Sequence, residues 1–386
     1  MAFVVLLALA ALDAAGYSII APLVPEIGEA TGGGPALMGA LVASFAVGQI
    51  AGYPLAGRGL QWRHSRYVLV GSLALIVVGD LGFILGEELA VYFPARATQG
   101  IGAGGLWMGL SFAVIERYPG REYQRLTAIT AAYGVGAIAG PAMGGAGGIR
   151  TPFLIHLALV LTLGLALTLI GPPRERIDFR SDREALRTRV FWLSSAGILL
   201  VALTLGAFDG PLPLHFADQL AQAEIAALYV AAALIGAVCA TLAGYLPPRP
   251  SLGVATVLLP AGVALAGLTS NVSLWVLAAV VVGIGLGLGE SGSLGVLLES
   301  VGVERIVLAM VVWSQLWAVG YLVGPAVGGG VAEAFGFAAI GLVPVAAALG
   351  VVATFALARR ESARSAALPG APPPESASDS SASGTP

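Results

Sequence analysis

Lysine is absent from the 386 residues: all 19 basic side chains are arginine, and even with 22 acidic residues the charged fraction is only 11%. Charged residues normally supply about a quarter of a soluble chain, so a water-covered globule of this length is excluded. Cysteine is nearly absent as well. Cys239 stands alone in an apolar stretch, which leaves no disulfide and no thiol metal site. The only histidines, His64, His156 and His215, are scattered. There is no His-Glu-x-x-His, no Gly-x-Ser-x-Gly elbow and no metal-spaced cluster, so neither an intramembrane enzyme nor a resident cofactor or metal has a motif to rest on.

What fills the space is apolar. Hydrophobic residues make up 57% of the chain and the mean hydropathy is +0.89, so lipid must be part of the solvent. A bilayer core about 30 Å thick takes roughly 20 apolar residues as a helix. Twelve such stretches recur, at 2–25, 35–57, 67–86, 90–115, 124–149, 152–171, 190–213, 222–246, 251–269, 272–298, 303–330 and 334–358. Their apolarity is continuous, without the period-2 alternation of a barrel strand, and helices satisfy every backbone group internally. The expectation is an all-α integral membrane protein without strands.

Arginine sets the orientation. Arg58, Arg63 and Arg66 fall between the second and third spans, Arg117, Arg121 and Arg125 between the fourth and fifth, and six more between the sixth and seventh. Arg249, Arg305, Arg359, Arg360 and Arg364 continue on the same side, whereas Glu26, Glu29, Glu87, Glu88, Asp218 and Glu333 share the opposite loops with Arg150 alone. By the positive-inside rule both termini are cytoplasmic. Asp13 and the missing basic start argue against a cleaved signal sequence. Residues 172–189, PPRERIDFRSDREALRTR, form a charged cytoplasmic hinge loop between an N-terminal six-helix bundle, 1–171, and a C-terminal one, 190–358. The Ser, Ala and Pro-rich tail, 359–386, reads as disordered.

The chain repeats itself. Residues 136–145 read GAIAGPAMGG and residues 321–330 read YLVGPAVGGG, which sets Pro141 and Pro325 184 positions apart (325 − 141). Gly52-Tyr53 is echoed by Gly244-Tyr245, Asp13 by Asp209, and Gly100, Gly102 and Gly104 by Gly285, Gly287 and Gly289. Six plus six helices about a charged loop is the plan of transporters built from two parallel repeats. The run GIGAGG at 100–105 lies inside a long apolar segment, without the preceding strand that a dinucleotide site requires.

These residues resemble the major facilitator superfamily, and within it the twelve-helix drug:proton antiporters. RATQGIGAGG from Arg96 to Gly105 is similar to that family's fourth-helix motif, and GVGAIAGPAMGG from Gly134 to Gly145 to its fifth-helix antiporter signature. LDAAGYSIIAPLVPEI from Leu12 to Ile27 looks like its first helix. The resemblance implies two pseudo-symmetric six-helix bundles. After the second helix GRGLQWRHSR keeps Gly57, Arg58 and Arg66 of the family's cytoplasmic loop motif, but places Gln61 where an Asp belongs and His64 where a Gly does, which puts the family's latch between halves in doubt. Gly136, Gly140, Pro141, Gly144 and Gly145, with Gly320, Gly324, Pro325, Gly328 and Gly329 in the repeat, read as close helix packing against a neighbour in the opposite half, at an interface that gates transport.

Ionisable groups inside the membrane are costly and mark function. Asp13, Asp80, Arg96, Asp209 and Glu290 fall within spans, while Glu116 and Glu299 lie near cytoplasmic ends. Each could instead be half of an ion pair that fixes packing, Arg96 with a carboxylate for example. The resemblance implies a cavity lined by helices one, four, seven and ten, on which Asp13, Arg96, Asp209 and Glu290 fall one each. Asp13 is the first candidate for proton coupling; Arg96 could tune a carboxylate or hold an anion. Tyr17, Trp107, Tyr133, Phe208, Trp313 and Trp317 could stack on a solute or face lipid. The sequence is therefore read as a monomeric secondary active transporter of the cell membrane, with a small-molecule substrate, protons and the lipid bilayer as partners and no nucleic acid. Proton-coupled efflux of an amphipathic solute leads; uptake of a sugar or other metabolite is the alternative, and a membrane receptor lies in a different class.

Overall fold

The computed structural model describes residues 1–62, 65–118, 121–169, 171, 184–300 and 306–366. Arg63, His64, Arg305, most of the charged loop (172–183) and the last twenty residues of the tail (367–386) lie outside the described residues. Within them the chain is helical and contains no strand. The helices are α1 (Ala2–Ser18), α2 (Val24–Thr31), α3 (Pro35–Trp62), α4 (Ser65–Leu85), α5 (Leu89–Arg117), α6 (Glu122–Gly144), α7 (Arg150–Thr168), α8 (Arg189–Asp209), α9 (Leu212–Phe216), α10 (Gln222–Ala243), α11 (Pro248–Leu268), α12 (Val272–Ser300), α13 (Ile306–Phe335) and α14 (Leu342–Ala366). Ten helical segments among the described residues are long and apolar enough to cross a membrane, and α6 adds a shorter apolar stretch, Ala128–Gly144. With α5, whose 29 residues include Arg96, Gln99 and Glu116, these account for the twelve expected spans.

Two of the spans are broken. The first is α1 followed by a single 3₁₀ turn, Ala21–Leu23, and α2; the seventh is α8 followed by α9. Proline explains both breaks. Pro22 and Pro25 lack the N–H groups that would continue α1, and Pro211 and Pro213 do the same after α8. The last span also differs from expectation: α13 runs on to Phe335 and α14 covers Leu342–Ala366, so the helix takes in the first residues of the segment read as tail.

The paired glycine motifs explain the packing, with a correction to the neighbour. Gly136, Gly140 and Gly144 are spaced by four and form one face of α6; a methyl group on them would overlap the carbonyl of Ala11, the Ser18 side chain and Ala15 carbonyl, and the carbonyl of Ile19. That face rests on α1 of the same half, not on the opposite half. Gly320 and Gly324 do the same on α13 against the carbonyls of Leu199 and Leu203 of α8, while Gly328 is in ordinary contact with Ala207. Only the last glycine of each motif reaches across. Gly145 meets Ala226 of α10, and Gly329 meets Pro35 of α3. Pro325 fills the space left by Gly206 and Gly210.

Two helix pairs, α3 with α13 and α6 with α10, carry most contact between the halves. At the acidic end they are tied by polar bonds: Gln222 Nε2 donates to the carbonyl of Gly144 at 2.7 Å, and the Ala36 N–H donates to Glu333 Oε2 at 3.0 Å. A core of Ile19, Ile20, Leu23, Val24 and Ile27 with Met38, Leu41, Phe45, Ala202 and Tyr321 joins the first helix to both halves.

Candidate functional site

The break in α1 places the first polar group. Its last helical bond runs from Ile19 N–H to Ala15 O at 3.0 Å, past which the ladder stops and leaves the carbonyls of Gly16 and Tyr17 open to side-chain donors. Arg96, fully buried on α5, supplies the donors: Nη1 to Gly16 O at 3.0 Å and Nη2 to Tyr17 O at 2.6 Å. A guanidinium at a helix C-terminus also complements the helix dipole. Nη1 further donates to Gln99 Oε1 at 3.0 Å, and the Arg96 plane lies 4.3 Å from the Phe45 ring centre. Its Nε–H has no partner.

Gln99 extends the network. Its Nε2 donates to Asp80 Oδ1 at 2.7 Å, and Asp80 Oδ2 lies 2.8 Å from His156 Nδ1. His156 Nε2 is 3.3 Å from the carbonyl of Leu12, which brings the chain of contacts back to α1. The carboxylate expected beside Arg96 is thus Asp80, reached through Gln99 and not directly. Asp80 and His156 are both buried.

Asp13 belongs to a separate group. It is 6% exposed, one helical turn before Gly16, and its Oδ2 accepts from the hydroxyl of Tyr133 on α6. Its Oδ1 is buried without a partner. Tyr133 in turn stands edge-on to Trp107, whose Nε1 donates to Ser314 Oγ on α13 at 3.2 Å. A small pocket lined by Asp13, Gly16, Phe45, Ile76, Gln99, Ala103 and His156 connects this group to the Arg96 network.

On the other side of the interface Asp209, 3% exposed, ends α8 and accepts from Tyr321 on α13 at 2.9 Å. Tyr321 stacks on Trp317 at 5.2 Å, and Tyr17 stands edge-on to both. Tyr17 lies within electrostatic range of Arg96, Asp209 and Glu290. Glu290 itself is exposed on α12.

Arg96, Asp209 and Glu290 thus all act electrostatically on Tyr17, while Asp13 belongs to a separate group with Tyr133. Asp13 and Asp209 are also not equivalent positions: Asp13 is five residues inside the end of α1, whereas Asp209 is the last residue of α8. Of the aromatic candidates, Tyr17, Trp107, Tyr133 and Trp317 gather here; Phe208 packs on Tyr229, and Trp313 donates to Ser293 Oγ at 3.0 Å, so these two are core. Gln99, His156 and Tyr321 were not singled out by the sequence. Among the described residues no three His, Cys, Asp or Glu side chains are arranged to hold a metal.

Of the loop motif, the side chains of residues 61–64 lie outside the described residues. Arg58 is exposed, and Gly57 has open space around it. Arg66 Nη2 donates to Thr168 O at 3.1 Å and Arg117 Nη2 to Gly171 O at 2.5 Å, so both arginines hold the end of α7 within their own half. Glu116 accepts from Ser65 at 2.5 Å beside them.

The sequence model of the Major Facilitator Superfamily matches residues 6–250 and, in a second match, 194–383. The chain is 28% identical over 163 residues to multidrug resistance protein 2 of Bacillus subtilis, covering 41% of each. It is 26% identical over 215 residues to the quinolone resistance protein NorA of Staphylococcus aureus, covering 53% of this chain and 55% of the relative. The chain thus spans about half the length of these curated relatives, 41% to 55%. Among solved structures, a bacterial homologue of the human lysosomal transporter Spinster, in an inward-facing and occupied conformation, superposes with a TM-score of 0.71 at 18% identity, covering 93% of this chain and 96% of the other. A D-xylose-proton symporter gives 0.70 at 15% identity, over 90% of this chain and 96% of the other. At those identities the likeness is one of fold.

Proposed function

This chain belongs to the Major Facilitator Superfamily, and from that premise we propose that it is a secondary active transporter which exports a small amphipathic solute in exchange for protons, by alternating access. Asp13 carries the reading. It is a buried carboxyl group with a hydroxyl donor on one oxygen and none on the other, at the mid-membrane end of a broken helix. Such a group is costly to keep charged in an apolar surrounding and is stabilised by taking up a proton. It can therefore load on one side of the membrane and discharge on the other.

Arg96 has most of its donors committed to α1 and Gln99, which argues against its holding an anionic solute. Tyr17, Trp317 and Tyr321 beside Asp209 and Glu290 form an aromatic and acidic wall suited to an apolar or cationic one. The export direction is supported by the resistance proteins to which the chain is similar. The exposure of Glu290 in the part of α12 nearer the arginine-rich end supports a state open toward that end.

By the arginine distribution that end is cytoplasmic, with both termini there and the protein in the cell membrane. We assign residues 1–171 and 190–358 as the two bundles, 172–189 as the hinge loop and 359–386 as a cytoplasmic tail, working as a monomer.

The test is solute flux in proteoliposomes with and without an imposed pH gradient. Asp13→Asn is expected to abolish gradient-driven flux while the protein stays folded; gradient-driven flux at the wild-type rate would reject the coupling role. Asp209→Asn and Glu290→Gln serve as comparators, and at least one of them should be milder.

A further inference from the structure

His156 is the buried titratable group that the transport reading leaves unused. It sits on α7, which packs against α4, α1 and α6. Those helices present Asp80, Asp13 and Tyr133 respectively, and α5 adds Arg96 through Gln99. The Nε2–Cε1 edge of the ring meets Gly16, where any larger residue would overlap it, so glycine there lets the histidine reach α1. Its two nitrogens face two acceptors. Asp80 receives a hydrogen from Gln99 on one oxygen and offers the other to Nδ1, while Nε2 points at the carbonyl of Leu12, which can only accept. With Asp80 ionised, both acceptors are satisfied only by a ring that carries hydrogen on both nitrogens, an imidazolium.

Asp13, whose Oδ1 has no partner, and His156 line the same pocket, whose volume of ≈ 10 Å³ is at the lower limit of what holds one water molecule. We propose that Asp13 and His156 share one mobile proton across this pocket, with Asp80 as the positioning residue that holds the imidazole. In the transfer, the Nε2–H proton of the imidazolium passes to a water in the pocket as that water gives a proton to Asp13 Oδ1. His156 becomes neutral and keeps its Nδ1–H on Asp80; Asp13 becomes neutral; Asp80 stays a carboxylate and the total charge is unchanged. The contact from Nε2 to Leu12 loses its hydrogen in the same step, so the occupancy of Asp13 is reported to the joint between α7 and α1. This rests on the proton-coupling role proposed for Asp13 and adds a second bearer and its orienting partner.

With three histidines in the chain, His64→Asn with His215→Asn leaves His156 as the sole imidazole. Its ring ¹⁵N signals in nanodiscs, followed over pH without solute or gradient, decide the matter apart from any transport result. The expected outcome is a doubly protonated ring on the acid side, whose titration midpoint moves by about one pH unit or more, a tenfold change in proton affinity, on Asp13→Asn. A ring in one neutral tautomer throughout, or a midpoint untouched by Asp13→Asn, overturns the proposal. In flux, His156→Gln keeps polar contacts but cannot titrate; it should flatten the pH profile of gradient-driven flux while retaining solute exchange without a gradient. An unchanged pH profile also overturns it. Should His156→Gln fail to fold, the ¹⁵N titration still gives the answer.

Discussion

In the first half α1 stops at Ser18, ahead of Pro22 and Pro25, and its free carbonyls go to the guanidinium of Arg96; in the second α8 stops at Asp209, ahead of Pro211 and Pro213, and the free carbonyl of Phe208 goes to the hydroxyl of Tyr229 at 2.5 Å. The scaffold is common to both halves: a glycine face on α6 or α13 seats the broken helix, and one further glycine reaches across. The polar filling is not. Among the described residues the first half buries the charged or imidazole side chains Asp13, Asp80, Arg96, Glu116 and His156, whereas the second buries Asp209 and, toward its acidic end, His215; many of its buried polar contacts are neutral, such as Ser194 and Ser293 exchanging hydroxyl-to-carbonyl bonds at 2.7 and 2.8 Å. Backbone approach is a requirement of the duplicated frame, while charge placement is free to differ wherever the frame is kept.

That contrast can be broken in graded ways. Arg96→Ala should cost the most, on the order of 3 to 5 kcal/mol, because it strips the cap from α1 and leaves Gln99, which holds Asp80, without its own donor. Melting in detergent measures it, and combining Arg96→Ala with Asp80→Asn should recover part of the loss. Arg96→Lys, which cannot fork to two carbonyls, should fall between. A melting point unchanged in Arg96→Ala would erase the distinction between the halves.

Next are the seams. Gly140→Leu and Gly324→Leu each force a side chain into a carbonyl, with overpacking of about 1 to 3 kcal/mol or more and a sharp loss of transport. Equal damage in the two variants is the expected result; tolerance of one alone would mean that the frames are not equivalent. The smallest effect is assigned to Tyr229→Phe, which gives up one neutral hydrogen bond, about 1 kcal/mol. If it matched Arg96→Ala, the second break would depend on its cap as heavily as the first.

Much of the frame could be read from the chain alone. Continuous apolar stretches gave helices within a few residues of those observed, because a helix in lipid has no competing way to satisfy its backbone. The glycine spacing of four gave a packing face, but not its partner: whether α6 meets α1 or the opposite half depends on helix rotation, which the weakly amphipathic segments do not encode. Pro22, Pro25, Pro211 and Pro213 carried the breaks in plain view, and reading each span as one rod passed over them. The Arg96 network was the least legible part. Gln99, Asp80 and His156 come from three helices, and only tertiary packing joins them. A signal existed in His156, an imidazole inside an apolar span, where an uncompensated polar ring is expensive. The offset that paired Asp13 with Asp209 misled, since alignment on the breaks instead puts the two carboxylates at different depths.

Glu333 has one more consequence. Its carboxylate, carried on α13, serves the first turn of α3, a helix of the other half that begins at Pro35. The acidic end is therefore fastened by an anion docking on a helix N-terminus, a bond between a full charge and a row of partial ones, exposed to the medium. Small mobile anions compete for the same amides, and dissolved salt shortens the reach of the attraction to about 10 Å at 0.1 M. In the transport cycle proposed above, ionic strength on that side of the membrane becomes a control on how readily that end parts, independent of solute and of proton, and Glu333→Gln should remove most of that sensitivity in flux measured across a salt series.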